Sequence, residues 1–142
     1  MPTVRDRFNK VMGRMHRTVY RRSGGKVGGR FGRAPMLLLT TTGRRSGQAR
    51  TVPLIYLADG ERFVVAASNA GQDHDPAWYG NLQAQPAAEV EAGDRRIPVT
   101  GRVADPAERA ALWPRLVAIF GNYAKYEQRT DRPIPVVILE RR

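Results

Sequence analysis

Apolar residues recur at spacings of three and four along the start of the chain: Val4, Phe8, Val11, Met12, Met15 and Val19. That period predicts an amphipathic helix over residues 3–22. Arg5, Arg7, Lys10, Arg14, Arg17, Arg21 and Arg22 fill the other positions, so the polar face is basic. Residues 23–33 are glycine-rich and read as a flexible linker. From Pro35 the pattern becomes strand-like. Met36–Thr42 and Thr51–Leu57 read as strands, and Asp59-Gly60 is a hairpin turn into a returning strand, Arg62–Ser68. Residues 69–75 are polar and loop-like. Pro76–Gln83 reads as a short helix with Asp75 as its cap and Pro76 at its first position. Ala87–Ala92 and Arg95–Val103 are strands around Gly93-Asp94. Asp105 and Glu108 form a capping box for a helix running to about Phe120. A short turn of helix, Tyr123–Gln128, and a last strand, Ile134–Leu139, complete the chain.

This order predicts an α+β fold. About six mainly antiparallel strands, joined chiefly by hairpins, make a barrel or half-barrel with helices covering it. The expected organisation is a basic helix and linker over residues 1–33 and a barrel domain over 34–142. Neither regular βα alternation nor a dinucleotide-binding glycine fingerprint occurs.

Composition sharpens the picture in two ways. The chain has no cysteine, which excludes disulfides, zinc–thiolate sites, iron–sulfur clusters and thiol nucleophiles. Its net charge is +11, and that charge is uneven. Residues 1–50 hold 13 Lys/Arg and one acid (+12), whereas residues 51–142 hold 11 Lys/Arg and 12 acids (−1). The first third is therefore an anion attractor. Its partner could be a nucleic acid, an anionic membrane surface or a small multiply charged ligand. The arm lacks the aromatic interleaving of a single-strand binder, so no nucleic acid is expected. A basic amphipathic helix suits peripheral contact with an anionic membrane through residues 3–22. No apolar run approaches a membrane span and no secretory signal is evident, so the expected location is cytoplasmic, at most peripheral to the membrane.

The candidate chemistry concentrates after the first strand. Thr42 leads into Gly43-Arg44-Arg45-Ser46-Gly47, and the chain returns through Arg50. Glycines let backbone N–H groups approach a phosphate, and arginine forks bind its oxygens. A hairpin turn with solvated arginines has the same composition. Few other side chains can do difficult chemistry unaided. His16 lies in the basic helix, and His74 sits between Asp73 and Asp75, whose adjacent side chains do not easily converge on one metal; no metal is expected. A nucleophile elbow is missing, as is a carboxylate pair in an apolar setting. If the chain is an enzyme, a cofactor carries the reaction. Phe120, Tyr123 and Tyr126 follow at helical spacing, and the tyrosines bring polar tips to that face.

Thr41-Thr42-Gly43-Arg44-Arg45-Ser46-Gly47, then Arg50 and Pro53, then Val64 to Ser68, then Pro76-Ala77-Trp78-Tyr79, Asn81-Leu82 and Pro86 resemble, in order and spacing, the deazaflavin-dependent nitroreductase family of actinobacteria. The resemblance covers roughly residues 30–142. It implies a split β-barrel related to the pyridoxamine-phosphate-oxidase and flavin-reductase barrels, and a reductase that uses coenzyme F-420, an 8-hydroxy-5-deazaflavin with a phosphodiester and an oligoglutamate tail. FMN is the alternative cofactor on the same fold. By this resemblance Arg44, Arg45, Ser46, Gly47 and Arg50 hold the phosphate and the start of the tail. Pro53, Ala66, Ala67, Ser68, Asn69, Ala77 and Trp78 surround the ring. Ser68, Tyr123 and Tyr126 line the acceptor side, where a quinone, nitro-compound or activated alkene takes a hydride from the ring. Ile55 and Phe120 stand where the nitroimidazole-reducing relatives carry tyrosine, which removes two hydroxyl donors from that side.

Overall fold

A computed structural model describes residues 17–22, 30–31 and 34–142 of the protein. Most of the predicted basic helix, residues 3–16, and most of the linker lie outside the described residues. Residues 17–22 are helical, as the periodicity predicts, and are called α1.

Eight strands and three further α-helices follow: β1 (Arg30–Phe31), β2 (Ala34–Thr42), β3 (Ala49–Ile55), β4 (Leu57–Asp59), β5 (Arg62–Ala66), α2 (Ala77–Ala84), β6 (Ala87–Ala92), β7 (Arg95–Val103), α3 (Pro106–Ile119), α4 (Asn122–Arg129) and β8 (Val136–Arg141). Six strands were expected. The two additions are the short β1 and β4; the predicted strand 51–57 divides at Tyr56, whose N–H still completes the β2–β3 ladder at the carbonyl of Pro35 (3.1 Å), and from Leu57 the chain pairs with β5 instead. Every pairing is antiparallel, in the order β1-β2-β6-β7-β8-β5-β4 with β3 on β2. β3 comes close to β5 without pairing with it, which leaves the barrel split there.

Two apolar clusters hold the molecule together, and they share strands. Phe63, Val65, Val137 and Leu139 join Leu37, Leu39 and Trp78 inside the barrel. The alternate residues Val64, Ala66, Val136 and Ile138 point the other way, under Leu112, Leu116 and Tyr123 of α3 and α4. Successive strand side chains face opposite ways, so β5 and β8, apolar along both faces, serve both clusters. Each fully buried aliphatic side chain is worth about 2 kcal/mol. α3 begins at the expected capping box: Asp105 Oδ1 accepts from the Glu108 N–H (2.8 Å) and Glu108 Oε1 accepts from the Asp105 N–H (3.0 Å).

The N-terminal helix is docked on the barrel. Tyr20 is fully buried, accepts from the Gly93 N–H (2.9 Å), and its hydroxyl lies 3.2 Å from the carbonyls of Met36 and Glu91. Arg21 forks onto the carboxylate of Glu91 (Nε–Oε1 3.1 Å, Nη2–Oε2 2.9 Å). Arg17 donates to the carbonyl of Thr51 in β3 (2.9 Å). No helix of the described residues is long and apolar enough to cross a membrane.

Candidate active site

Strand register gathers the candidate residues at one end of the barrel. Thr40 faces Glu89, Ala87 faces Thr100, Gly101 faces Leu139, and Val137 faces Val65. The turn after Thr42 and the connection after Ala66 therefore lie at the same end. A hollow of about 300 Å³ at the other end, between the β4–β5 and β6–β7 turns, is lined by Tyr56, Phe63, Ile97, Arg95 and Arg141. It contains none of the expected site residues.

The arginine turn has a closed backbone. The Gly43 N–H donates to Gln48 (2.8 Å) and the Gly47 N–H to Gly43 (2.8 Å). Gly47 has a φ of +70°, a conformation that glycine adopts without a Cβ clash. Ser46 Oγ accepts from the Gln48 N–H (3.1 Å) and so shapes the turn from inside. Arg44, Arg45 and Arg50 are exposed, as a grip on an outside anion requires.

Helix α2 anchors this turn. Asn81 is buried, with its Oδ1 accepting from the Arg44 N–H (3.1 Å) and its Nδ2 donating to Thr41 Oγ1 (3.1 Å). The guanidinium of Arg44 lies over Gly80, where a methyl group would come 1.6 Å from Nη1. Trp78 points into the barrel core and Ala77 is exposed at the helix start.

The connection from β5 to α2 forms the second half of the site. Ser68 is buried, and Asn69 (φ 47°), Ala70 (φ 54°) and Gly71 (φ 77°) turn left-handed in succession. Two non-glycine residues in that region cost about 1 kcal/mol or more each, so surrounding structure must hold them. One holder is Arg132, from the segment between α4 and β8. It donates to the carbonyls of Ala67 (3.2 Å), Ser68 (2.7 Å) and Gln72 (2.9 Å) and to the carboxylate of Asp75 (3.0 Å). The other is α4, against which Gly71 packs so closely that a Cβ would meet Tyr126 Cα at 3.0 Å. Asp75 is thus engaged by Arg132 and does not cap α2; the helix starts at Ala77 after Pro76, without a side-chain cap.

The aromatics of α4 sit beside this connection. Tyr123 packs edge-on to Phe120 (centroids 5.0 Å) and Tyr126 (6.3 Å). Burial raises the Tyr123 hydroxyl well above the ordinary tyrosine range, with the neighbouring Tyr126 adding to the effect. Tyr126 is half-buried. Ile55, at the end of β3, and Phe120 rest on the same outer cluster. Pro53 is half-buried on β3.

Sequence reasoning placed Asn81 in a motif without a task and passed over Gly80 and Arg132. A glycine inside a helix, about 1 kcal/mol worse than alanine, was a signal for Gly80. Arg132 had none, since its acceptors lie 57 to 65 residues away.

Comparison with known proteins follows from this geometry. The profile of the family described as "F-420H(2)-dependent quinone reductase" matches residues 11–141. The chain belongs to that family. An F-420H(2)-dependent quinone reductase of Mycobacterium tuberculosis is 41% identical over 133 residues, covering 91% of this chain and 89% of the relative. The solved structure of an F-420H2-dependent reductase, FDR-A, is 39% identical with a TM-score of 0.70, covering 75% of this chain and 94% of its own. A pyridoxine-phosphate-oxidase family protein of Clostridium acetobutylicum shares the fold alone: 12% identity, TM-score 0.52, covering 75% of this chain and 74% of its own. The α+β split barrel, the oxidoreductase class and the deazaflavin hydride donor of the resemblance are those of this family.

Proposed function

We propose that this protein passes a hydride from reduced coenzyme F-420 to a quinone, with nitro-compounds and activated alkenes as further acceptors at the same place. One observation carries the reading. α2 links a phosphate-type arginine turn to a tightly held loop beside two tyrosines, and from Ala77 to Asn81 the helix rises about 6 Å. A ligand with a flat ring at one end and phosphate plus carboxylates at the other matches that layout.

The donor set fits the cofactor. Arg45 and Arg50 are exposed and would hold its phosphate and first glutamate, Arg44 lies along α2 beside them, and Ser46 and Gly47 shape the turn. Pro53, Ala66, Ala67, Ser68, Asn69 and Ala77 would border the ring, with Trp78 behind it in the core. When bound, the deazaflavin supplies a hydride from its ring. The protein orients the two partners and excludes water. Ser68, Tyr123 and Tyr126 position the acceptor. Burial holds the Tyr123 hydroxyl protonated, so it would meet the acceptor as a hydrogen-bond donor.

Peripheral contact with an anionic membrane through residues 3–22 belongs to this reading, because a quinone is lipid-soluble and the segment is basic. It rests on charge alone, and co-sedimentation with anionic vesicles tests it.

The deciding experiment is a fluorescence titration with coenzyme F-420 beside FMN, followed by anaerobic oxidation of the reduced deazaflavin by a soluble naphthoquinone. Selective deazaflavin binding with quinone-dependent turnover is expected. Selective FMN binding would move the protein to the flavin alternative, and binding of neither would remove the cofactor reading.

A further inference from the structure

Arg132 reaches both ends of the segment joining β5 to α2 from outside it. Its side chain has a relative exposure of 13%, and its guanidinium spreads four hydrogen bonds over Ala67, Ser68, Gln72 and Asp75. Three of these acceptors are main-chain carbonyls, so the contacts fix backbone position and not merely charge. The segment it grips contains the consecutive left-handed residues Asn69, Ala70 and Gly71. Its own internal bonds are local, from the Gly71 N–H to Ser68 (2.9 Å), from the Gln72 N–H to Asn69 (3.1 Å), from Asn69 Nδ2 to the His74 carbonyl (3.1 Å) and between His74 Nδ1 and Asp73 Oδ1 (3.1 Å). Those do not determine where the turn sits against the barrel.

We propose that Arg132 is a positioning residue for the hydride-transfer site. It sets Ser68 and Asn69 at the ring edge and, through Asp75, the start of α2 that carries Ala77 and Trp78. This rests on the functional reading above. A planar five-donor fork is needed, because a lysine ammonium in the same place has three donors diverging from one point and cannot reach four acceptors spread across the segment. The role differs from that of the arginine turn. Arg45 and Arg50 would hold the anionic part of the cofactor, whereas the Arg132 donors are turned to the segment itself and act through the backbone they hold.

The test uses Arg132→Lys and Arg132→Ala in the full chain, with circular dichroism to verify folding. In the free protein, amide exchange across residues 67–75 should accelerate at least tenfold in both variants, while the β6–β7 ladder exchanges as in the wild type. With coenzyme F-420 and a soluble naphthoquinone, kcat/KM should fall about 10- to 100-fold, the range expected when a reacting pair is displaced by an ångström. Millimolar guanidinium should restore part of the loss in Arg132→Ala and none in Arg132→Lys. A deazaflavin lacking the phosphate and tail should lose affinity for Arg132→Ala by the same factor as the complete cofactor. Wild-type exchange in a folded Arg132→Ala overturns the clamp. Accelerated exchange with unchanged kcat/KM and affinity overturns the positioning role. A wild type that binds no deazaflavin overturns the functional reading, while the exchange result still decides the clamp.

Discussion

Arg44 occupies the space that a side chain on Gly80 would need, with Nη1 1.6 Å from the position of the missing methyl. The glycine is therefore a seat for the guanidinium. Gly80→Ala should raise helix propensity by about 1 kcal/mol and displace Arg44, the movable partner. The expected result is an unchanged or slightly higher Tm with deazaflavin affinity lowered by about tenfold. A variant that binds as the wild type does would show that Arg44 needs no seat.

Asn81 separates stability from binding at the same turn. Asn81→Ala leaves the Arg44 N–H and the Thr41 hydroxyl without their partner and should cost about 1–3 kcal/mol of stability. Asn81→Asp keeps an acceptor for the Arg44 N–H and offers the Thr41 hydroxyl, which in the native protein accepts from Asn81 Nδ2, a carboxylate to donate to, so it should be the more stable of the two. It also puts a negative charge under an anion grip, so it should be the weaker binder. Thermal melts and fluorescence titration of the pair check both orders; the same variant leading in both would contradict the arrangement.

Charge reversal at Arg45 isolates the anion grip. The side chain is exposed, so Arg45→Glu should leave Tm within a degree or two (surface changes stay within about 0.5 kcal/mol). Affinity for the complete cofactor should drop strongly, and less so at high salt. Equal affinity in both proteins would move the phosphate elsewhere.

Tyr123→Phe should lower turnover with quinone more than it lowers cofactor affinity. The wild-type hydroxyl, raised in pKa by burial and then by Tyr126, stays protonated past the ordinary tyrosine range of about 10. Turnover of the wild type should accordingly show no loss attributable to this group up to that pH. A fall in rate near pH 9 that vanishes in Tyr123→Phe would overturn the assignment.

Acid stability should depend on Glu108. The hydrogen bonds from Arg102, and then that from the Asp105 backbone, lower its carboxyl from 4.5 to about 2. A folded-state pKa below the unfolded value stabilises the native protein above pH 4.5, and that contribution fades as pH falls from 4.5 to about 2. Glu108→Gln should flatten the decline of Tm in this window and lower Tm at pH 7. An identical pH slope in both proteins would place the acid sensitivity elsewhere, with Asp59, lowered by Arg62 and Arg115, as the next candidate.

What the sequence revealed was local. The Asp105–Glu108 box, the hairpin turns and the arginine turn are each written within a few neighbouring residues, and the structure contains them all. Strand ends were less legible, because the apolar run 51–57 changes partner within itself: up to Ile55 it pairs with β2, and from Leu57 with β5. Asp75 resembled a helix cap until Arg132, 57 residues away, proved to hold it. The two-sided burial of β5 and β8 was visible only as unbroken apolar runs, which name buried strands without saying what covers each face.

The helix behind the arginine turn leans on the inner cluster through Trp78 and Leu82, while Phe120, Tyr123 and Ile55 lean on the outer one. Each side of β5 and β8 thus answers to its own set of neighbours. A change of side chain among Ile55, Phe120 and Tyr123 is absorbed on the outer face of the sheet, and the seat of the arginine turn stays where Trp78 and Leu82 put it.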